Sequence, residues 1–157
     1  MSFEIPIRVY IEDTDAGGIV FYGNYLKFFE RARTDFLRSI GIEQSVTIEN
    51  NLIFVVRHVS VDYKSPARLD DVLSVSCAVK SIRPTRVVFA QSANRSADDT
   101  NLVNAEVEVV AVSMDTLKPR ALPLPLKQFH GVPNRHFRQL RLRDGDPRVL
   151  PKEGNLG

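Results

Sequence analysis

A chain of 157 residues, 43% hydrophobic and 25% charged, is long enough for one domain with a real core and has the composition of an ordinary globular protein. Its lone cysteine, Cys77, excludes an internal disulfide and a Cys-x-x-Cys metal or redox site, and no apolar run approaches the ~18 residues a membrane span needs. The net charge of +2 is unevenly split: residues 127–157 carry seven Lys or Arg against three acids, so the first 126 residues are slightly acidic and offer nothing to nucleic acid.

The opening stretch, Met1 to Pro6, lacks a basic-then-apolar leader pattern, so a reduced, cytoplasmic protein without an integral membrane segment is expected. Residues 5–12 alternate roughly apolar and polar and read as a strand, with Pro6 marking a beginning or a sheet edge. A turn-rich segment, Asp13-Thr14-Asp15-Ala16-Gly17-Gly18, follows. From Asn24 to Ile40 the apolar residues recur at three- and four-residue steps (Tyr25, Phe28, Phe29, Ala32, Phe36, Leu37, Ile40), which predicts a long helix with Asn24 as N-cap and Gly41 just past its end. Its wide, Phe-rich apolar arc calls for a sheet to lie against.

After a loop at 41–51, four strand-like runs occupy roughly 52–64, 71–82, 86–95 and 102–114. Ile53, Val55, Val59, Val61 and Tyr63 are expected on one face of the first, with Arg57 among them, and Leu73, Val75, Cys77 and Val79 on one face of the second. In the last, Val103, Ala105, Val107, Val109 and Ala111 face one way and Asn104, Glu106 and Glu108 the other. Five strands and one apolar helix predict an α+β domain with an antiparallel sheet wrapped around that helix. The leftover apolar positions Val56, Val88, Val110 and Val112 point to an oligomer interface on the back of the sheet. A helical turn is expected around 124–130. The domain is expected to span 1–130, followed by a basic, Pro- and Gly-bearing extension over 131–157, either mobile or folded over a neighbouring subunit.

The segment from Glu12 to Asn24 places carboxylates on a glycine-bearing loop that feeds a helix N-terminus. Unpaired amides and the positive helix end stabilise a developing oxyanion, while a nearby carboxylate activates water or attacks a carbonyl. The same spacing serves equally well if Asp13 and Asp15 only hold turn amides.

The run Arg8-Val9-Tyr10-Ile11-Glu12-Asp13-Thr14-Asp15-Ala16-Gly17-Gly18-Ile19-Val20-Phe21-Tyr22-Gly23-Asn24-Tyr25, continued by Phe29-Glu30-Arg31-Ala32-Arg33, resembles the signature of the 4-hydroxybenzoyl-CoA thioesterase family. The resemblance is closest to its tol-pal-associated, YbgC-type acyl-CoA thioesterase branch. It continues through Phe54-Val55-Val56-Arg57, Tyr63-Lys64-Ser65-Pro66-Ala67-Arg68-Leu69-Asp70-Asp71 and Lys118-Pro119-Arg120-Ala121-Leu122-Pro123, covering about residues 5–126. It implies a hotdog fold, a homo-oligomer (dimer or tetramer) with active sites at the subunit interface, an acyl-CoA substrate and no cofactor or metal. The family's essential Asp falls on Asp15, as nucleophile or as general base, and its carbonyl-polarising amides fall around Tyr22 and Gly23. Phe21, Asn24, Lys64, Arg86 and Arg120 are the expected substrate contacts, the three cations toward the phosphates of CoA.

One departure bears on mechanism. Many YbgC-type members carry His where this chain has Tyr22, and the histidines here are His58, His130 and His136. A mechanism resting on Asp15 and helix-terminal amides, without an imidazole, is therefore expected. The rival reading is a non-catalytic acyl-CoA or acyl-carrier binding module. A hotdog dehydratase is disfavoured because a His–Asp pair is missing from this loop.

Overall fold

The computed structural model describes residues 3–129. Five strands form one antiparallel sheet: β1 (Phe3–Arg8), β2 (Leu52–Tyr63), β3 (Val72–Ile82), β4 (Arg86–Arg95) and β5 (Thr100–Ser113). They lie in the order β1-β3-β4-β5-β2, so β1 and β2 are the two edges. The long helix α1 (Asn24–Ser39) crosses the inner face of β1, β3 and β4. This is the hotdog arrangement, a sheet curved around a central helix. Two short helices, α2 (Gln44–Glu49) and α3 (Leu124–Lys127), complete it.

The core follows from the two periodicities meeting. Phe28, Phe29, Ala32 and Phe36 from α1 are fully buried against Phe3, Leu73, Val75, Cys77, Val87 and Phe89 from the strands. Phe36 sits at the centre, its ring edge-on to Phe3, Phe89 and Phe129 at 5.7 to 6.1 Å. Each of the Phe, Leu and Val side chains contributes roughly 1.5–3 kcal/mol by leaving water. One polar device crosses this core: buried Gln91 accepts from Arg33 at 3.0 Å and donates to the carbonyls of Phe29 and Ser76 at 3.0 and 3.1 Å, tying helix to sheet. Burial holds the Arg33 guanidinium below its ordinary value. At the far end of α1 the Gly41 amide donates to Arg38 and the Ile42 amide to Leu37, a Schellman closure that needs the φ of +96° at Gly41.

Several expectations are corrected. The first strand ends at Arg8, and residues 11–13 form a single 3-10 turn instead of continuing it. The loop at 41–51 contains α2. Asn24 is the first residue of α1, not its cap; Gly23 occupies the cap position. In β2 a bulge at Arg57 shifts the register between Val56 and His58, so Leu52 and Phe54 face the core before it, and Val59 and Val61 after it. Ile53 and Val55 therefore do not share a face with Val59 and Val61. Finally, Val110 and Val112 are 7% and 4% exposed within the chain. Residues 118–120 lie along this part of β5, with Pro119 bridged to Val112 and Arg120 bonded to the Ala111 carbonyl. Val56, in contrast, is 50% exposed. The expected extension over 131–157 lies outside the described residues.

Candidate active site

The loop between β1 and α1 is pinned at three levels. Asp13 Oδ2 accepts from the Tyr10 amide at 2.9 Å and Oδ1 from the Asn24 side chain at 2.7 Å, so this carboxylate joins the 3-10 turn to the start of α1. The Asp13 carbonyl takes the Phe21 amide, and Thr14 bridges Val20, which folds residues 14–20 into a small hairpin. Behind it, Tyr25 is buried and its hydroxyl accepts from the Ala67 amide at 3.1 Å, while the Ala67 carbonyl takes the Val20 amide at 2.9 Å. Desolvation of that hydroxyl raises its pKa. The segment after β2 thus clamps the hairpin to the helix.

Asp15 stands at the hairpin tip and is exposed. Its Oδ1 accepts from the Gly17 amide at 2.8 Å, and its carbonyl accepts from Gly18, whose φ of +79° only glycine adopts freely. Asp15 Oδ2 accepts nothing from the described residues. One oxygen holds the turn, and the other is uncommitted. The two roles weighed for Asp15 are compatible in one side chain.

Tyr22 and Gly23 precede α1 directly. Neither amide donates to an acceptor among the described residues, as helix geometry allows at an N-terminus. Phe21, Tyr22, Leu26 and Tyr63 form an exposed apolar surface beside them, Tyr22 being 66% exposed. The Tyr22 ring lies against Phe21 and edge-on to Tyr63. A Cβ at Gly23 would sit 3.0 Å from the Phe21 ring, so close approach favours glycine there.

The other expected site residues divide. Lys64 follows β2 at the Tyr63 end, near the loop, and pairs loosely with Asp62 at 3.6 Å. Asn24 meets Asp13, as above. Arg86 shares Glu108 with Arg57, at 3.2 and 3.1 Å. Arg120 donates to the carbonyls of Asn50 and Asn51 at 3.2 and 3.0 Å. Through the registers Arg86–Val110–Val55 and Val103–Tyr63, these last two stand at the end of the sheet away from the loop within one chain. His58 is exposed on β2, and Cys77 is fully buried, its thiol pushed up by burial. A groove of about 600 Å3 runs between β1 and α1, lined by Arg8, Glu12, Glu30 and Arg31 among others; Asp15 is not part of it. Sequence reasoning missed Tyr25, Tyr63 and Ala67 as supports of the loop. The one local signal was two tyrosines flanking otherwise ordinary helix and strand positions.

Residues 17–102 match the family described as the thioesterase superfamily. The chain is 47% identical over 121 residues to the acyl-CoA thioester hydrolase YbgC of Escherichia coli O6:H1, covering 77% of this chain and 90% of that one. It is 42% identical to the acyl-CoA thioesterase YbgC of Haemophilus influenzae, covering 82% and 95%. Among solved structures, a probable thioesterase from Bartonella henselae superposes with a TM-score of 0.73 at 33% identity, covering 78% of this chain and all of that one. The chain therefore belongs to the thioesterase superfamily, in its YbgC-like branch.

Proposed function

We propose that this protein hydrolyses an acyl-CoA thioester to a free acid and CoA, with Asp15 as the catalytic carboxylate. The observation that carries this reading is the pairing of an exposed carboxylate having one uncommitted oxygen with unpaired amides at the start of α1. As general base, Asp15 takes a proton from water while the oxygen attacks the thioester carbon. The tetrahedral oxyanion is met by the Tyr22 and Gly23 amides, the C–S bond breaks, and the thiolate leaves as CoA after taking up the proton. As nucleophile, Asp15 forms a mixed anhydride that water then opens. Neither route uses an imidazole from the loop.

The protein acts as a homo-oligomer in this reading. Among the described residues the edge of β2 carries no partner strand, with Val56, Arg57 and His58 exposed along it, and the apolar surface of Phe21, Tyr22, Leu26 and Tyr63 is uncovered. Antiparallel pairing of two β2 edges would bring the distant end of one sheet, with Arg86 and Arg120, toward the loop of the other. Lys64 would approach CoA from the same chain as Asp15. A cytoplasmic location accords with an acyl-CoA substrate, and among the described residues no helix is long and apolar enough to cross a membrane.

The test is free-thiol release from short-chain, long-chain and aromatic acyl-CoAs, with Asp15→Asn in parallel. Turnover by the wild type and its loss in the variant are expected. Tight CoA binding without thiol release would favour the binding-module alternative, and an Asp15→Asn protein at the wild-type rate would remove the role of the carboxylate.

A further inference from the structure

Two consecutive peptide planes lead into α1, and each is held by its carbonyl. The Phe21 carbonyl accepts from the Asn24 amide at 2.8 Å, closing a four-residue turn. The next carbonyl, that of Tyr22, has no backbone donor among the described residues, because the Leu26 amide bonds to Gly23 at 3.2 Å instead. Its hydrogen bond comes from the Tyr63 hydroxyl, at 3.0 Å and 41 residues along the chain. No peptide bond among the described residues is cis. In a trans peptide the N–H points opposite to the C=O. The first tether therefore directs the Tyr22 N–H away from the turn, and the second directs the Gly23 N–H away from Tyr63.

The second plane is the one in need of a tether. Gly23, with φ −71° and ψ −19°, occupies the third position of a type I turn. Glycine there also admits the type II turn, which differs by a flip of this same middle peptide. The flip would exchange the Gly23 N–H for the Tyr22 C=O on the side facing substrate, replacing a donor with an acceptor. Nothing in the Gly23 backbone resists it. The Tyr63 hydroxyl does, because flipping breaks its hydrogen bond. Burial and the neighbouring Tyr22 hold the Tyr63 phenol above its ordinary pKa, so it stays a donor through the neutral range.

We infer that Tyr63 is a positioning residue of the thioesterase site: by holding the Tyr22 carbonyl it keeps the Tyr22–Gly23 peptide in the orientation that offers the Gly23 N–H to the developing oxyanion. A hydrogen bond on the carbonyl also polarises the same peptide group and strengthens its N–H as a donor. The inference rests on the thioesterase reading above and adds to it the device that selects one of two turn states.

Tyr63→Phe removes the hydroxyl and keeps the ring. Removal of an oxyanion donor costs about 10²–10³ in kcat, so a donor present but unheld should cost about tenfold or more, with KM changed by less than about twofold. The peptide itself can be watched, because Tyr-Gly occurs once in the sequence. Protein labelled with carbonyl-13C tyrosine and 15N glycine gives a single two-bond-filtered amide resonance, from Tyr22–Gly23. In Tyr63→Phe this carbonyl is expected to move upfield and the Gly23 amide to shift with it. An unmoved resonance overturns the tether. An unchanged kcat, with wild-type enzyme active on the acyl-CoA panel, overturns the catalytic role. A wild type that releases no thiol from any panel member overturns the parent reading, and the resonance then still reports separately on the tether.

Discussion

The Asp13 carboxylate meets the Asn24 side-chain amide at 2.7 Å, across eleven residues of loop, and this contact joins the 3-10 turn to the first residue of α1. With its other oxygen on the Tyr10 amide, Asp13 is fully occupied in holding the loop. Asp15, two residues on, is not.

The two aspartates should therefore fail differently. Asp13→Ala loses two hydrogen bonds to a charged group and should cost about 2–3 kcal/mol in urea unfolding, with reduced turnover following from a loosened loop. Asp15→Asn should leave the unfolding midpoint nearly unchanged, since an amide oxygen still accepts from Gly17. Its kcat should fall by about a hundredfold or more. Equal stability losses in the two variants would contradict this division.

Tyr22 tests the absence of an imidazole. Its ring forms part of the exposed apolar surface, and its amide donates to nothing among the described residues. Tyr22→Phe keeps both and should retain most of kcat. A large loss in kcat at constant KM would instead make the hydroxyl a participant.

Gln91 should be among the most sensitive polar positions. Gln91→Leu strips Arg33 of its side-chain acceptor and removes the side-chain donor to the carbonyls of Phe29 and Ser76. A loss of about 3 kcal/mol is expected. Replacing Arg33 by Leu in the same protein should recover part of it, which a double-mutant cycle in denaturant measures.

Stability should fall on the alkaline side. Burial raises the folded-state pKa of Cys77 and of Tyr25 above their ordinary values of 9.0 and 10.0. The folded chain then keeps protons that the unfolded chain gives up, so stability is full below about pH 9 and declines as pH rises toward the folded values. Urea midpoints at pH 7, 9 and 10 should show this, and Cys77→Ala should flatten the first part of the decline. The same burial predicts slow reaction of native Cys77 with disulfide reagents, which a stopped-time thiol titration reads directly.

Much of the architecture was legible because it rests on local periodicity. The Phe-rich three-and-four spacing of 24–40 and the alternation of β3 and β5 each report one buried face, and the structure buries those faces. The bulge in β2 was not legible, since one extra residue inverts the alternation without changing composition. The burial of Val110 and Val112 was not legible either, since alternation places both on the back of the sheet.

At the site, the sequence by itself determined which residue types stand on the loop and, through the run from Arg8 to Tyr25, the family to which the chain belongs. Spacing could not separate Asp13 from Asp15, because both sit in the same acid-rich turn. Tertiary structure distinguishes them: Asp13 has two partners, and one oxygen of Asp15 accepts nothing among the described residues. It also brought Tyr63 to the Tyr22 carbonyl and Ala67 to Tyr25, from segments about forty residues away. Hydrogen bonds between distant segments depend on where the folded sheet places them, and no local pattern encodes that.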